Sequence, residues 1–256
     1  MLSQIKIYID SSVGDKLFQS HFNYRVFFIG FFLSRQLRKL KIDSEDIKTI
    51  DIVFGGDVTH SVEIAESRII IHTSFDLNFY SSMSEYEKCK YYSLLINQAL
   101  NRLAEMQNIP YSKLKDLINK LQQDKFVYRW EFKTISLPLN NLKINFFCSI
   151  TTNDFTISVE IYNLKGKSLL LEGIVIRTKP DEIFFSHISN KIRVERDNLF
   201  ITTKWGVDLI QLNIQKLQHC ILDVRYCDTP YLNDKKASEI FFSIQRELKY
   251  DNYDFK

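Results

Sequence analysis

The period of the apolar residues changes within the sequence LQQDKFVYRWEFK, residues 121–133. Up to Leu121 the apolar residues recur every three or four positions, which is typical of amphipathic helices. From Phe126 they recur at every second position, which is typical of half-buried strands. The change predicts an α+β protein with a helix-rich N-terminal half that contains a small sheet, followed by a large antiparallel β meander or sandwich and a C-terminal helix.

The same change predicts where the chain divides. A chain of 256 residues is long enough for one large domain or two ordinary ones. Its hydrophobic fraction of 45% is enough to bury a core. We expect an α/β domain at residues 1–125 and an antiparallel β domain with the C-terminal helix at residues 126–256.

The N-terminal part begins with an alternating segment at residues 5–9, which predicts a strand. Apolar residues then recur at helical spacing over residues 22–40, and extra phenylalanines widen the apolar face of this helix. Residues 47–54 and 68–77 predict further strands, and the pattern of a capping box at residues 84–87 predicts the start of another helix. We expect the extra phenylalanines of the first helix to be buried by more than one layer; they are Phe27, Phe28, Phe31 and Phe32.

The C-terminal part is dominated by alternating segments. Three of them occupy residues 126–161, and turn residues at 163–166 predict a hairpin. The segment 207–217 fits a helix and a strand equally well, so its structure stays open. An amphipathic pattern at residues 237–248 predicts the C-terminal helix. Shorter runs that predict strands are residues 169–176, 183–188, 192–194, 199–203 and 219–226.

Composition and motifs disfavour several common classes of site. Only seven glycines are present, and no GxGxxG, Walker, GxSxG or HExxH motif occurs, which disfavours nucleotide-binding loops, hydrolases and zinc proteases of the usual types. The four cysteines lack CxxC spacing and the histidines lack ligand spacing, so we expect no metal and no cofactor. A formal net charge of +3 without a basic stripe disfavours nucleic acid as a partner.

No feature of the sequence predicts export or insertion into a membrane. The N-terminal residues lack a basic region followed by an apolar run. The longest apolar run, at residues 26–33, is far shorter than the roughly 20 residues that span a bilayer. Widely spaced cysteines fit a reducing compartment. We therefore expect a soluble cytoplasmic protein.

One group of residues has the side chains that transfer protons or bind metals. Asp57, His60 and Glu63 lie in or near the loop after the second predicted strand, and His72 and Asp76 lie on the strand that follows. If the hairpin folds back, two imidazoles and two or three carboxylates converge, which is a set suited to a divalent metal or to acid-base chemistry. A turn and a solvent-facing strand explain the same residues without any chemistry. An enzyme whose site is assembled around Asp57, His60, His72 and Asp76 is the alternative hypothesis.

A second candidate surface lies at residues 205–208, where a predicted strand breaks. Trp205 is either a core anchor or an exposed contact residue for a partner, because a tryptophan serves both roles well. Asp208 lies close to it in the sequence.

The main functional hypothesis is a non-enzymatic protein that binds another protein. Bacterial immunity proteins and antitoxins, which neutralise a cognate toxin, belong to this class, and they need only a stable scaffold and a complementary surface. The hypothesis fits a chain with strong apolar periodicity, few glycines and no convergent motif. We expect partner contacts at Asp57, His60, Trp205 and Asp208, and we assign no catalytic residue.

Overall fold

The computed structural model describes residues 1–56, 61–104, 109–180 and 191–227, together with Glu239 and Phe242. These residues form five α-helices and three four-stranded sheets. The chain therefore combines helices with antiparallel sheets, as the sequence predicts. No helix in the described part of the chain is long and apolar enough to cross a membrane.

The helices and strands have the following bounds. The helices are α1 (Lys16–Leu40), α2 (Leu77–Ser81), α3 (Glu85–Asn101), α4 (Tyr111–Gln123) and α5 (Ile214–Gln218). The first strands are β1 (Gln4–Ile9), β2 (Thr49–Gly55), β3 (Val62–Ala65), β4 (Arg68–Ser74), β5 (Tyr128–Leu137) and β6 (Leu142–Ile150). The remaining strands are β7 (Phe155–Asn163), β8 (Leu169–Thr178), β9 (Lys191–Glu195), β10 (Asn198–Thr202), β11 (Asp208–Asn213) and β12 (Val224–Tyr226).

Contacts between residues group the chain into two units. Unit 1 comprises Met1–Tyr128 with Thr151–Asn153, and unit 2 comprises Arg129–Ile150 with Asp154–Lys256. The division into domains at residues 125 and 126 stays a prediction.

Unit 1 is built on a mixed sheet with the strand order β1-β2-β4-β3. β1 and β2 are parallel, β2 and β4 are parallel, and β3 runs antiparallel to β4. Parallel neighbours need a long crossover connection, and α1 supplies it between β1 and β2. The predicted small sheet is present, while its parallel core was not predicted.

Helix α1 also satisfies the outer edge of β1. The Ile5 N–H donates to the Ser34 hydroxyl oxygen at 2.8 Å, and the Ile9 N–H donates to the Asn23 side-chain oxygen at 2.9 Å. Between these two contacts lies Gly30, where an added Cβ would lie only 2.9 Å from the Ile5 carbonyl oxygen. A strand edge normally pairs with another strand. Here the side chains and the bare backbone of a helix take that place.

The core of unit 1 is aromatic where α1 meets the sheet and α3. The Phe22 ring lies 5.9 Å from the Phe54 ring and 5.1 Å from the Phe75 ring, measured between centroids. It also lies 5.4 Å from the ring of Tyr92, whose hydroxyl is 2.5 Å from the Tyr80 hydroxyl. Burial raises the pKa of the Tyr92 hydroxyl well above its ordinary value.

Burial of the additional phenylalanines of α1 is uneven. Phe28 and Phe32 are buried, which confirms the prediction for these two. Phe27 and Phe31 are half-buried, and their rings stack on each other with centroids 6.3 Å apart. Phe32 also contacts the Tyr128 ring at 5.0 Å. Helix α1 is therefore covered on more than one side, but not all around.

The start of α3 follows the predicted capping box. The Glu87 N–H donates to the Ser84 hydroxyl oxygen at 3.5 Å, and the Ser84 N–H donates to the Glu87 carboxylate at 2.8 Å. The next carboxylate, Glu85, pairs with Arg25 of α1 at 2.6 Å. These contacts fix the beginning of α3 against α1.

Unit 2 contains two sheets with the orders β5-β6-β7-β8 and β12-β11-β10-β9. The predicted hairpin turn joins β7 to β8, and the Asn163 side-chain oxygen accepts the N–H groups of Lys165 and Gly166. The segment between α5 and β12 contacts the first of these sheets, because the Leu222 side chain packs over Gly173 of β8 and leaves no room for a Cβ there. The predicted meander or sandwich is thus divided between two separate sheets.

Two sequence expectations for unit 2 need correction or completion. The open segment 207–217 contains both structures, because β11 is followed directly by α5, whose first turn is capped by Asn213. The predicted strand at 219–226 is reduced to β12, since Cys220 adopts a φ of 60°, which interrupts an extended chain. The predicted strand at 183–188 lies outside the described residues. So does the predicted helix at 237–248, apart from Glu239 and Phe242.

We expect Phe28→Ala to lower the free energy of unfolding by about 3–5 kcal/mol, because the ring is fully buried and its removal leaves a cavity. Phe31→Ala, on the same helix but half-buried, is the control and is expected to cost clearly less. Chemical denaturation measures both changes. A loss below about 1 kcal/mol for Phe28→Ala would contradict the core position of this ring.

Gly30→Ala is expected to destabilise the protein by about 1–3 kcal/mol, because the new methyl group is forced against the Ile5 carbonyl oxygen. Alanine favours helices over glycine by about 1 kcal/mol, so a stability gain would result if the contact were loose. The control is Ser20→Ala at an exposed position of α1, which is expected to change stability by less than about 0.5 kcal/mol. Thermal or chemical unfolding of both variants decides between these outcomes.

Candidate functional site

The β3 edge, defined as Val62–Ala65, is the outermost strand of the unit 1 sheet. All four of its residues are exposed. The His72 N–H donates to the Ser61 carbonyl oxygen at 3.0 Å, so Ser61 directs its peptide groups towards β4. In an antiparallel pair this direction alternates from residue to residue. Val62 and Ile64 therefore direct their N–H and C=O groups away from β4, towards the open edge.

The side chains of the β3 edge continue two rows of aliphatic residues that cross the whole sheet. We call them the isoleucine rows. Their members on β1, β2 and β4 are between 0 and 6% exposed, whereas Ile64 is 62% and Val62 is 39% exposed. The apolar surface thus runs out from the core to the edge. The rows consist of Ile5, Ile50, Ile69 and Ile64, and of Ile7, Ile52, Ile71 and Val62.

Other strand edges in the described sheets carry a cover or a basic residue, which the β3 edge lacks. Natural edge strands avoid pairing with other chains by being short, or through charged residues (above all Lys), Pro, bulges or a covering element. β3 has four residues and one charge, Glu63. β1 is covered by α1 through the Ser34 and Asn23 contacts. The β3 edge has neither Lys, Arg nor Pro. The edge strands of unit 2 each hold a basic residue, namely Arg129 in β5, Arg177 in β8, Arg193 in β9 and Arg225 in β12.

The second face of the β3–β4 hairpin is charged. Glu63 points to this face, and its Oε1 lies 3.9 Å from Nε2 of His72, one strand away. The Glu63 side chain is 61% exposed and the His72 side chain 25%. At this separation the two groups attract each other only when the imidazole is protonated, and they form no direct hydrogen bond. The Glu63 carboxylate is thus open to a further partner.

A buried carboxylate lies on the same face, in the middle of the sheet. Asp51 on β2 is 3% exposed, and its Oδ2 lies 3.7 Å from the Arg68 guanidinium. Its Oδ1 finds no hydrogen-bond donor among the described residues. Burial, and next the negative charge of Asp51, raise the pKa of the neighbouring Tyr8 hydroxyl. The partly exposed Arg68 forms an ion pair with Oδ2 of this carboxylate within the sheet.

Of the four residues of the enzyme hypothesis, the structure describes His72 and Asp76, which lie at different places in unit 1. Asp57 and His60 lie outside the described residues. His72 lies beside Glu63, and Asp76 is the N-cap of α2, where its carboxylate accepts the Phe79 N–H at 2.9 Å. The described residues hold no group of three His, Cys, Asp or Glu side chains that could bind a metal ion.

Asp10 is a second acidic residue at the carboxyl end of the parallel strands, and its hydrogen-bond partner also lies close to it in the sequence. Ligands of parallel α/β sheets bind at this end. Asp10 follows β1, and its carboxylate accepts the Ser12 N–H at 2.8 Å. Hydrogen bonds from Ser12 lower the pKa of Asp10 below its ordinary value. Asp10 is therefore engaged in the loop between β1 and α1, and Asp76 in the cap of α2.

Trp205 and Asp208 belong to the turn between β10 and β11 in unit 2. The Thr203 hydroxyl accepts the N–H groups of Trp205 and Val207, which holds the turn in one conformation. Trp205 is half-buried, and the Lys204 ammonium lies 4.8 Å from its ring centroid. Asp208 pairs with Arg193 at 2.6 Å, so its charge is used within the sheet. The role of both residues in partner binding stays a prediction.

Sequence reasoning missed Val62 and Ile64, the two residues that make the β3 edge apolar. The sequence VEIA is short and ends at a tight turn, so it does not stand out as a strand by itself. The signal that was available is the apolar, acidic, apolar pattern directly before a strong strand, without a basic residue or proline. Such a pattern predicts a hairpin whose first strand is an unprotected edge.

We expect Asp76→Ala to lower the free energy of unfolding by about 0.5–2 kcal/mol, because α2 loses its N-cap. Asp76→Ser keeps an oxygen that can accept the Phe79 N–H and is expected to recover most of this loss. Chemical denaturation of the two variants is the measurement. Equal stability of the alanine, serine and wild-type proteins would show that Asp76 has no capping role and would leave it free for chemistry.

Comparison of the chain with known protein families, with curated proteins and with solved structures finds no match. We therefore infer the function from the geometry of the chain's own residues. Within the described part of unit 1 the strongest feature is an exposed strand edge that carries the ends of two apolar rows and one acidic side chain.

Proposed function

We propose that the chain is a non-enzymatic protein-binding protein and that the β3 edge is its contact surface in unit 1. The observation that carries the proposal is the exposure of Val62 and Ile64 on a strand edge without Lys, Arg or Pro. An exposed edge strand is a template for a strand from another chain. Backbone hydrogen bonds supply affinity in this mode of binding, and the alternating side chains supply specificity.

Binding of a partner along the β3 edge is expected to lower the free energy of the protein. Burying the exposed part of an Ile and a Val side chain is worth on the order of 1 kcal/mol each, at about 25 cal/mol per Å² of apolar surface. The outward N–H and C=O groups of the same two residues gain partners at the same time. Apart from its short length and Glu63, the described residues give this edge none of the features by which natural edge strands avoid association. A bound partner would cover the edge and prevent unspecific association.

A protein toxin is the class of partner that we propose to test first. Immunity proteins and antitoxins act by binding alone, and a chain of this kind needs a rigid framework around its contact strand. The β3 edge meets this requirement, since it is paired to β4 over its whole length and the isoleucine rows anchor β4 in the core. We propose Asp57 and His60, which precede the β3 edge in the sequence, as additional contacts.

Val62→Lys is expected to abolish capture of the partner, because the new ammonium group would have to be buried in the interface. The matched control is Val194→Lys: Val194 is 42% exposed on the edge strand β9, and Val62 is 39% exposed. Both substitutions are at the surface and are expected to change stability by less than about 0.5 kcal/mol. The tagged variants are purified from cells that produce the protein, and the chains that accompany them are compared.

A partner that is retained by Val194→Lys and lost from Val62→Lys would support the contact surface. If that partner arrests growth when produced alone and the wild-type chain restores growth, the toxin class is supported as well. A partner retained equally by both variants would show that the β3 edge is not the contact surface.

A further inference from the structure

We infer that the segment bound by the β3 edge carries a Lys or Arg residue between two β-branched residues. This inference rests on the proposed function and names the chemistry of the partner at the same site. It follows from three properties of the edge, namely the direction of its peptide groups, the isoleucine rows and the position of Glu63.

The direction of the peptide groups fixes which residues of the bound segment pair with the edge. Val62 and Ile64 direct their N–H and C=O groups outwards, so each of them pairs with one residue of an incoming strand. Directly opposed residues of neighbouring strands have their side chains on the same face. The two incoming residues therefore extend the isoleucine rows. β-Branched side chains suit this position, because they pack well on a pleated surface.

The residue between them faces the opposite side of the sheet, opposite Glu63. The Glu63 carboxylate is exposed, and its contact with His72 is longer than a hydrogen bond. A Lys or Arg in the bound segment reaches this carboxylate across the strands, whereas an Asp or Glu is repelled by it. Three consecutive residues of the bound segment are therefore β-branched, basic and β-branched, in this order.

A second copy of the chain fits this site less well than another protein does. If two β3 edges paired with full overlap, Glu63 would lie opposite Glu63 of the other copy, which is destabilising. The exposed edge strand β9 contains the pattern Ile192, Arg193, Val194. Its basic residue already pairs with Asp208 and Glu195, and leaving these partners would cost their ion pairs. The charge pattern therefore favours a separate partner protein.

The test uses the full chain and a display library of short random segments. The immobilised wild-type protein is expected to enrich segments with the β-branched, basic, β-branched pattern. In a synthetic enriched segment, replacing the basic residue with Glu is expected to weaken binding by about two- to five-fold, as for one cross-strand charge pair. Glu63→Lys is expected to reverse this order, so that the acidic segment binds more tightly. Val194→Lys is the control and is expected to keep the wild-type preference.

Each remaining outcome counts against the inference in a distinct way. Enriched segments that lose binding on Val62→Lys but show no preference for a basic residue would overturn the inference and leave the proposed contact surface intact. Enriched segments that still bind Val62→Lys would overturn both. Failure to enrich any segment would also overturn the inference, while capture of a whole partner protein would still test the proposed function separately. A dimer in solution that is lost on Val62→Lys would assign the edge to a second copy instead.

Discussion

Every strand at the edge of a sheet has backbone N–H and C=O groups that need partners, and the structure of unit 1 follows from how its two edges meet this need. On one side α1 lies along β1 and supplies Ser34 and Asn23 as partners for its peptide groups. The backbone of α1 lies so close to β1 that only glycine fits at position 30. On the other side β3 directs its outer peptide groups to no strand of the sheet. Among the described residues, α1 closes one edge of the sheet, and no strand pairs with the other.

The closed edge also explains why α1 is so apolar. A helix that lies against a strand edge contacts the sheet, α3 and α4 at once, so residues on several of its sides leave water. Phe22 enters the aromatic core on one side, and Phe32 meets Tyr128 on another. The polar residues Ser34 and Asn23 interrupt this apolar surface because each accepts a backbone N–H of β1. Their loss would leave buried donors without acceptors, which costs more than a lost surface contact.

Local sequence patterns were sufficient for the features that depend on neighbours in the chain. Alternation in β6 and β7, the capping box at Ser84 and the turn at Asn163 are encoded within a few residues, and all three were predicted. The parallel pairing of Ile5 with Ile50 joins residues far apart in the sequence, so no local period reveals it. The same holds for the β3 edge, because the strand order that leaves it outermost depends on β2 and β4 pairing first. Asp76 was predicted to lie on the strand at residues 68–77 and to face the other polar residues, whereas β4 ends at Ser74 and Asp76 caps α2.

The tight turn between β3 and β4 has a consequence for the order in which the sheet is assembled. β3 and β4 are separated only by Glu66 and Ser67, whereas β1 and β2 are separated by residues 10–48, which include all of α1. Closing a short loop costs less entropy than closing a long one, and hairpins form within microseconds. As the chain emerges during synthesis, β3 and β4 are therefore able to pair with each other without help from more distant residues. β3, which has no strand on its outer side in the described sheet, is thus among the first strands to pair, and its outer peptide groups are exposed from the beginning of folding.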